Sequence, residues 1–99
     1  MNNKERKQIK KILKFLFFSS RGGKTRLEIV KLLEFNSLNA NQIAEKLNLN
    51  YKTVIHHLEV LMENRIVVKE GDGYGAKFRL SREFVIFKEV LVELERETK

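Results

Sequence analysis

Apolar residues recur along this chain in two different periods, and the change of period divides it. Ile9, Ile12, Leu13, Leu16 and Phe17 keep helical spacing, which predicts a first helix over residues 4–18. Gly22 and Gly23 stop it. Leu27, Ile29 or Val30, Leu32 and Leu33 repeat the pattern over residues 24–35, and Asn36-Ser37 breaks it again. Asn39 then reads as an N-cap with Gln42 at the third helical position, a capping box opening a short helix with Ile43, Ala44 and Leu47 inward. A tight turn, Asn48-Leu49-Asn50, follows, and Asn50 caps a helix over 51–64. Val54, Leu58 and Leu61 share one face of that helix, with Lys52, Ile55, His56 and Glu59 on the other.

Beyond Asn64 the period shortens. Ile66-Val67-Val68-Lys69 is β-branched, Gly71-Asp72-Gly73-Tyr74-Gly75 is a glycine-rich tip, and Ala76-Lys77-Phe78-Arg79-Leu80 alternates. That predicts a two-stranded hairpin with Phe78 and Leu80 inward and Lys77 and Arg79 outward. Ser81 caps a last helix over 82–97 with the stripe Phe84, Phe87, Leu91 and Leu94. Val85, Ile86, Val90 and Val92 make it apolar over more than one face. The expected fold is mainly α with a small β-hairpin wing, a winged helix-turn-helix with extra N- and C-terminal helices. One domain spans 1–99: an N-terminal helix over 1–20, a winged helix core over 24–80 and a dimerisation helix over 81–99.

Composition fits a single small core: 99 residues, 42% apolar, with no proline to mark a linker. Charge adds more. Residues 1–31 hold ten basic side chains against Glu5 and Glu28, a balance of +8, while the remaining 68 residues balance to −1. A basic surface predicts polyanionic partners, nucleic acid before an anionic membrane. The run Ile12 to Phe18 resembles a signal sequence only superficially, since Lys14 interrupts it and no small-x-small cleavage site follows. No stretch approaches the roughly 20 apolar residues that span a bilayer, and the expected location is cytoplasmic and nucleoid-associated. Cysteine is absent, which fits a reducing interior and removes disulfides, thiolate metal sites and Cys nucleophiles.

The helix-turn-helix over Asn39–Asn64 carries the chemistry. Ala44 is small enough for a helix crossing, and the exposed side of the second helix must reach base edges in a groove about 12 Å wide. The expected DNA contacts are Asn50, Tyr51, Lys52, Thr53, Ile55 and His56 on that helix. Arg21 and Lys24 at the glycine break would meet phosphate, and Lys69, Tyr74, Lys77 and Arg79 would act from the wing. His57 is expected to pack and hydrogen-bond a backbone carbonyl. Phe15, Phe18, Phe35, Phe78, Phe84 and Phe87 are expected in the core. Gly22-Gly23-Lys24-Thr25 is not a phosphate loop, because Phe18 stands where the pattern needs glycine. No arrangement suggests catalysis, and no cofactor is expected.

The segments Lys24-Thr25-Arg26-Leu27-Glu28-Ile29-Val30-Lys31-Leu32-Leu33 and Thr53-Val54-Ile55-His56-His57-Leu58-Glu59-Val60-Leu61-Met62-Glu63-Asn64-Arg65-Ile66-Val67 resemble the second helix and recognition helix of arsenic-repressor-like (ArsR-type) regulators. Phe17 to Arg26 resembles archaeal members. The resemblance covers residues 15–80 and implies a dimeric, sequence-specific transcription regulator of double-stranded DNA. Metal-sensing members place cysteines where this chain has Leu38-Asn39-Ala40-Asn41-Gln42, or Asp and His ligands on a last helix that here has no histidine. No transition-metal effector is therefore expected. A homodimer would use Ile9, Ile12, Leu13 and Leu16 of the first helix with Phe84, Phe87, Val90, Leu91 and Leu94 of the last. Two other functions suit the same fold: a protein–protein interaction module, and a non-specific chromatin-coating protein.

Overall fold

The computed structural model describes residues 1–98; Lys99, the last residue of the expected C-terminal helix, lies outside the described residues. Its helices are α1 (Asn3–Lys14), α2 (Gly23–Leu33), α3 (Ala40–Leu47), α4 (Tyr51–Glu63) and α5 (Arg82–Glu97), and its strands are β1 (Leu38–Asn39), β2 (Val67–Glu70) and β3 (Lys77–Leu80). Mostly helical, with an antiparallel wing, this is a winged helix-turn-helix.

Side-chain caps set the starts of α1, α3, α4 and α5. Asn2 accepts from the Glu5 amide at 2.8 Å, Ser81 from the Phe84 amide at 3.0 Å, and Asn39 and Gln42 close both halves of the expected capping box at 2.8 Å each. After α1 the backbone widens into a π-helical turn, Phe15–Ser19, in which the Ser20 amide donates to the Phe15 carbonyl at 3.1 Å. Gly22, at φ +84°, then reverses the chain into α2.

The wing has one strand more than the pattern predicts. β1 pairs antiparallel with β3, Leu38 opposite Phe78, giving the order β1-β3-β2. Two residues are too few to show alternation. β2 and β3 pair with Val67 opposite Leu80 and Lys69 opposite Phe78.

Leu13, Leu16, Phe17, Ile29, Val30, Leu33, Ile43, Val54, Leu58, Leu61, Phe78 and Phe84 belong to one core. Two aromatic residues expected there are outside it: Phe15 is 61% and Phe35 82% exposed. Phe15 opens the π-helical turn two positions beyond buried Leu13, on the side turned away from it, and Phe35 lies in the turn past the end of α2, where no helical face directs it inward. The expected dimerisation set needs a larger correction. Leu13, Leu16, Phe84, Val90, Leu91 and Leu94 are all buried within this chain's own core, because α5 closes over α1 and α2. Ile9 and Phe87 are half-buried, and Ile12 is exposed. On α1 and α5 themselves, the large apolar side chains left exposed are Ile12, Val85, Ile86 and Val92. Ile9, Ile12, Ile86 and Phe87 line one groove between α1 and α5.

Ion pairs hold α5 against its neighbours: Arg6 and Lys10 with Glu93, Lys10 with Glu97, Lys31 with Glu95, and Lys88 with Glu34. The hydrogen bonds that Lys10 donates to Glu97 and Glu93 raise its ammonium above its usual range, and Lys10 in turn lowers Glu93. No helix among the described residues is long and apolar enough to cross a membrane.

Candidate nucleic-acid interface

Two asparagines shape the turn between α3 and α4. Asn48 takes the left-handed conformation at φ 53°, which asparagine tolerates better than most residues. Asn50 then accepts from the Lys52 amide at 2.8 Å and the Thr53 amide at 3.3 Å, fixing the first turn of α4. Val54, Leu58 and Leu61 are fully buried and seat the helix. Lys52, Thr53 and His56 consequently project into solvent, while Ile55 is half-buried. The acidic side chains of α4, Glu59 and Glu63, fall in its C-terminal half, so positive charge is confined to its opening turns.

The wing tip meets those turns. The rings of Tyr51 and Tyr74 lie 6.0 Å apart at 48°, a tilted aromatic contact. Tyr74 remains 77% exposed. Lys77, three positions further along, is exposed on the outer face of the wing. Arg79 shares that face but is not free: its Nε donates to Glu70 Oε1 at 2.9 Å and its Nη1 to the Leu80 carbonyl at 3.2 Å. Lys69 is exposed, yet its register opposite Phe78 puts it on the other face from Lys77 and Arg79. The wing candidates thus divide between two faces.

The start of α2 lies against the middle of α4. A Cβ added to Gly22 would fall 2.6 Å from His57 Cε1, so only glycine lets these elements approach. Arg21 and Lys24 flank that contact and are both exposed. The amide of Gly23 is not available for a phosphate, since it donates to the Ser20 carbonyl at 3.1 Å.

Beneath the surface is a residue the pattern did not single out. Arg26 is 5% exposed and donates to the Leu16 carbonyl at 2.9 Å, to the Arg21 carbonyl at 3.2 Å and to Ser20 Oγ. Its Nη1 lies 3.3 Å from His57 Nδ1. His57 is buried as expected, at 7% exposure, but its partner is this guanidinium and not a backbone carbonyl. Arg26 stands at helical spacing from Ile29, Val30 and Leu33, a position on the core face where a charge needs partners; that spacing was the available signal. Burial first, then Arg26 and His56, lower the His57 imidazole below its ordinary range.

Residues 23–69 match the family model "Bacterial regulatory protein, arsR family". An arsenical resistance operon repressor from Staphylococcus xylosus is 32% identical over 79 residues, covering 80% of this chain and 71% of that protein. This chain belongs to the arsR family. Solved structures show the same fold at lower identity. HlyU from Vibrio cholerae is similar with a TM-score of 0.68 and 22% identity, over 93% of this chain and 95% of that one. A homodimeric winged helix-turn-helix DNA-binding domain from Mycobacterium bovis, described as a possible ArsR-family regulator, has a TM-score of 0.69 and 18% identity, over 98% and 88%.

This arsR-family chain offers no thiolate to a metal. It has no cysteine, and no group of three His, Cys, Asp or Glu side chains among the described residues is placed to hold an ion. Its histidines are neighbours with ring centroids 5.4 Å apart, but Nδ1 of His57 already faces Arg26.

Proposed function

We propose that this chain is a sequence-specific, double-stranded DNA-binding transcription regulator acting as a homodimer, with α4 in the major groove. The capped first turns of α4 carry the proposal: Lys52, Thr53 and His56 stand exposed on a rigid helix, with Tyr74 and Lys77 of the wing alongside. Helix-turn-helix proteins read base edges from that end of the second helix. Arg21, Lys24, Lys69 and Arg79 serve the phosphates, Arg79 by exchanging Glu70 for DNA. The family and the S. xylosus repressor support a regulatory role. Phe17–Arg26 resembles archaeal members, the branch to which we assign the chain, and we place it in the cytoplasm with the nucleoid.

The homodimer reading draws support from the homodimeric M. bovis neighbour and from the exposed groove around Ile12 and Ile86. In a dimer joined there, the separation of the two α4 helices should match successive major grooves, roughly 34 Å, so the preferred site should be an inverted repeat with half-sites about 10 bp apart. Regulation by a transition metal is not part of this proposal: low-micromolar zinc should leave DNA affinity unchanged. A stoichiometric zinc site coupled to DNA release would overturn that part. Selection of bound fragments from random DNA, followed by sequencing, tests the rest. An enriched inverted repeat supports it, and a pool that stays random contradicts sequence specificity.

A further inference from the structure

The Arg26 guanidinium ties together parts of the chain that the DNA reading uses separately. Three of its contacts, to the carbonyls of Leu16 and Arg21 and to Ser20 Oγ, fix the connection between α1 and α2. The fourth crosses to His57, in the middle of α4. Guanidinium groups only donate, so Nδ1 must offer its lone pair, and a ring that does so is neutral with its proton on Nε2. The bare backbone of Gly22 gives the ring its space, for an added Cβ would also stand 3.0 Å from Arg26 Nη1.

We infer, resting on the DNA-binding role proposed above, that Arg26 and His57 are positioning residues for DNA recognition. Their contact holds α4 in register with the α2 start that carries Arg21 and Lys24, and it holds only while His57 is neutral. Protonation at Nδ1 removes the accepting lone pair and sets a second cation against a buried guanidinium. The ring then has to leave its place against Gly22, and α4 loses its tie to α2. Among the described residues, the charged or titratable groups acting on His57 are Arg26 from α2 and His56 on its own helix, with no carboxylate among them to shelter an added proton. His56 has the opposite consequence. It is exposed at the DNA face, so its protonation adds attraction to phosphate.

The test measures duplex affinity of the full chain from pH 7.5 to 5.5 at constant ionic strength, with far-UV circular dichroism at each pH. NMR titration follows the two imidazoles without DNA. Wild-type affinity should fall on acidification, approaching roughly tenfold per pH unit for each proton that binding must expel. His57→Gln should abolish that fall. By NMR, His57 should titrate below the ordinary imidazole range, and Arg26→Gln should move it upward. Affinity that stays level or rises through the pH at which NMR shows His57 taking up its proton, an acid loss that survives in His57→Gln, or a His57 titration indifferent to Arg26→Gln each overturns the inference alone. Absence of duplex binding at pH 7.5 overturns the DNA reading and the inference with it. Should His57→Gln fail to fold, the wild-type comparison decides: the loss of affinity must track the His57 titration, and loss tracking another group overturns the inference.

Discussion

A single Asn50 oxygen accepts two backbone amides and so sets the pitch at which α4 leaves the turn. Asn50→Ala should cost about 1 kcal/mol of stability, readable in urea denaturation, and weaken DNA binding through fraying of the first turn. At Gly22 two penalties coincide, a left-handed φ of +84° and the approach of His57 to 2.6 Å from any added Cβ. Gly22→Ala should therefore destabilise by more than the roughly 1 kcal/mol of an ordinary left-handed alanine, and an unchanged urea midpoint would contradict the packing described. His57 also links stability to pH. Its folded state binds a proton less readily than the unfolded chain, chiefly because of burial and then because of Arg26. Its stabilising contribution is complete above the unfolded value of about 6.5 and declines as pH falls through that value toward the lower folded one. The urea midpoint should drop over that window in wild type and less so in His57→Gln.

Among the elements, α5 separates what packs the chain from what remains for a partner. Leu91 is 2% exposed and Ile86 62%, although both belong to one apolar helix. Leu91→Glu should unfold the protein, since a carboxylate in the core adds to a cavity loss of about 2–5 kcal/mol. Ile86→Glu should keep the circular dichroism spectrum and shift sedimentation from about twice the 11.7 kDa chain mass to that mass itself. Wild-type chain sedimenting as a monomer at micromolar concentration would contradict the dimer. Elements with several turns of pattern were legible: Val54, Leu58 and Leu61 announce α4, and Asn39 with Gln42 announces α3. Short or tertiary features were not. β1 holds only Leu38 and Asn39, and Arg26 is buried because distant carbonyls and His57 receive it. Apolarity alone also could not divide α5, because its core arc and its exposed Val85, Ile86 and Val92 are composed of the same residue types.

Across the whole molecule, placement of charge matters more than its total. The N-terminal excess of basic residues is partly neutralised by α5, whose Glu93, Glu95 and Glu97 pair with Arg6, Lys10 and Lys31. Such exposed pairs contribute about 0–1 kcal/mol each, so they shape the field more than they stabilise the fold. In the proposed reading the opening turns of α4, the wing and the α2 start face DNA, and binding releases counterions. Fluorescence anisotropy of a labelled duplex recovered by selection, titrated over a range of salt, tests this most directly. About 6–8 phosphate contacts per dimer predict a log–log slope near −5 to −7, and Lys52→Ala should cost roughly 1–3 kcal/mol of affinity where it reads a base. A slope near zero, with Lys52→Ala binding as tightly as wild type, would contradict the account of α4 as the DNA-reading helix.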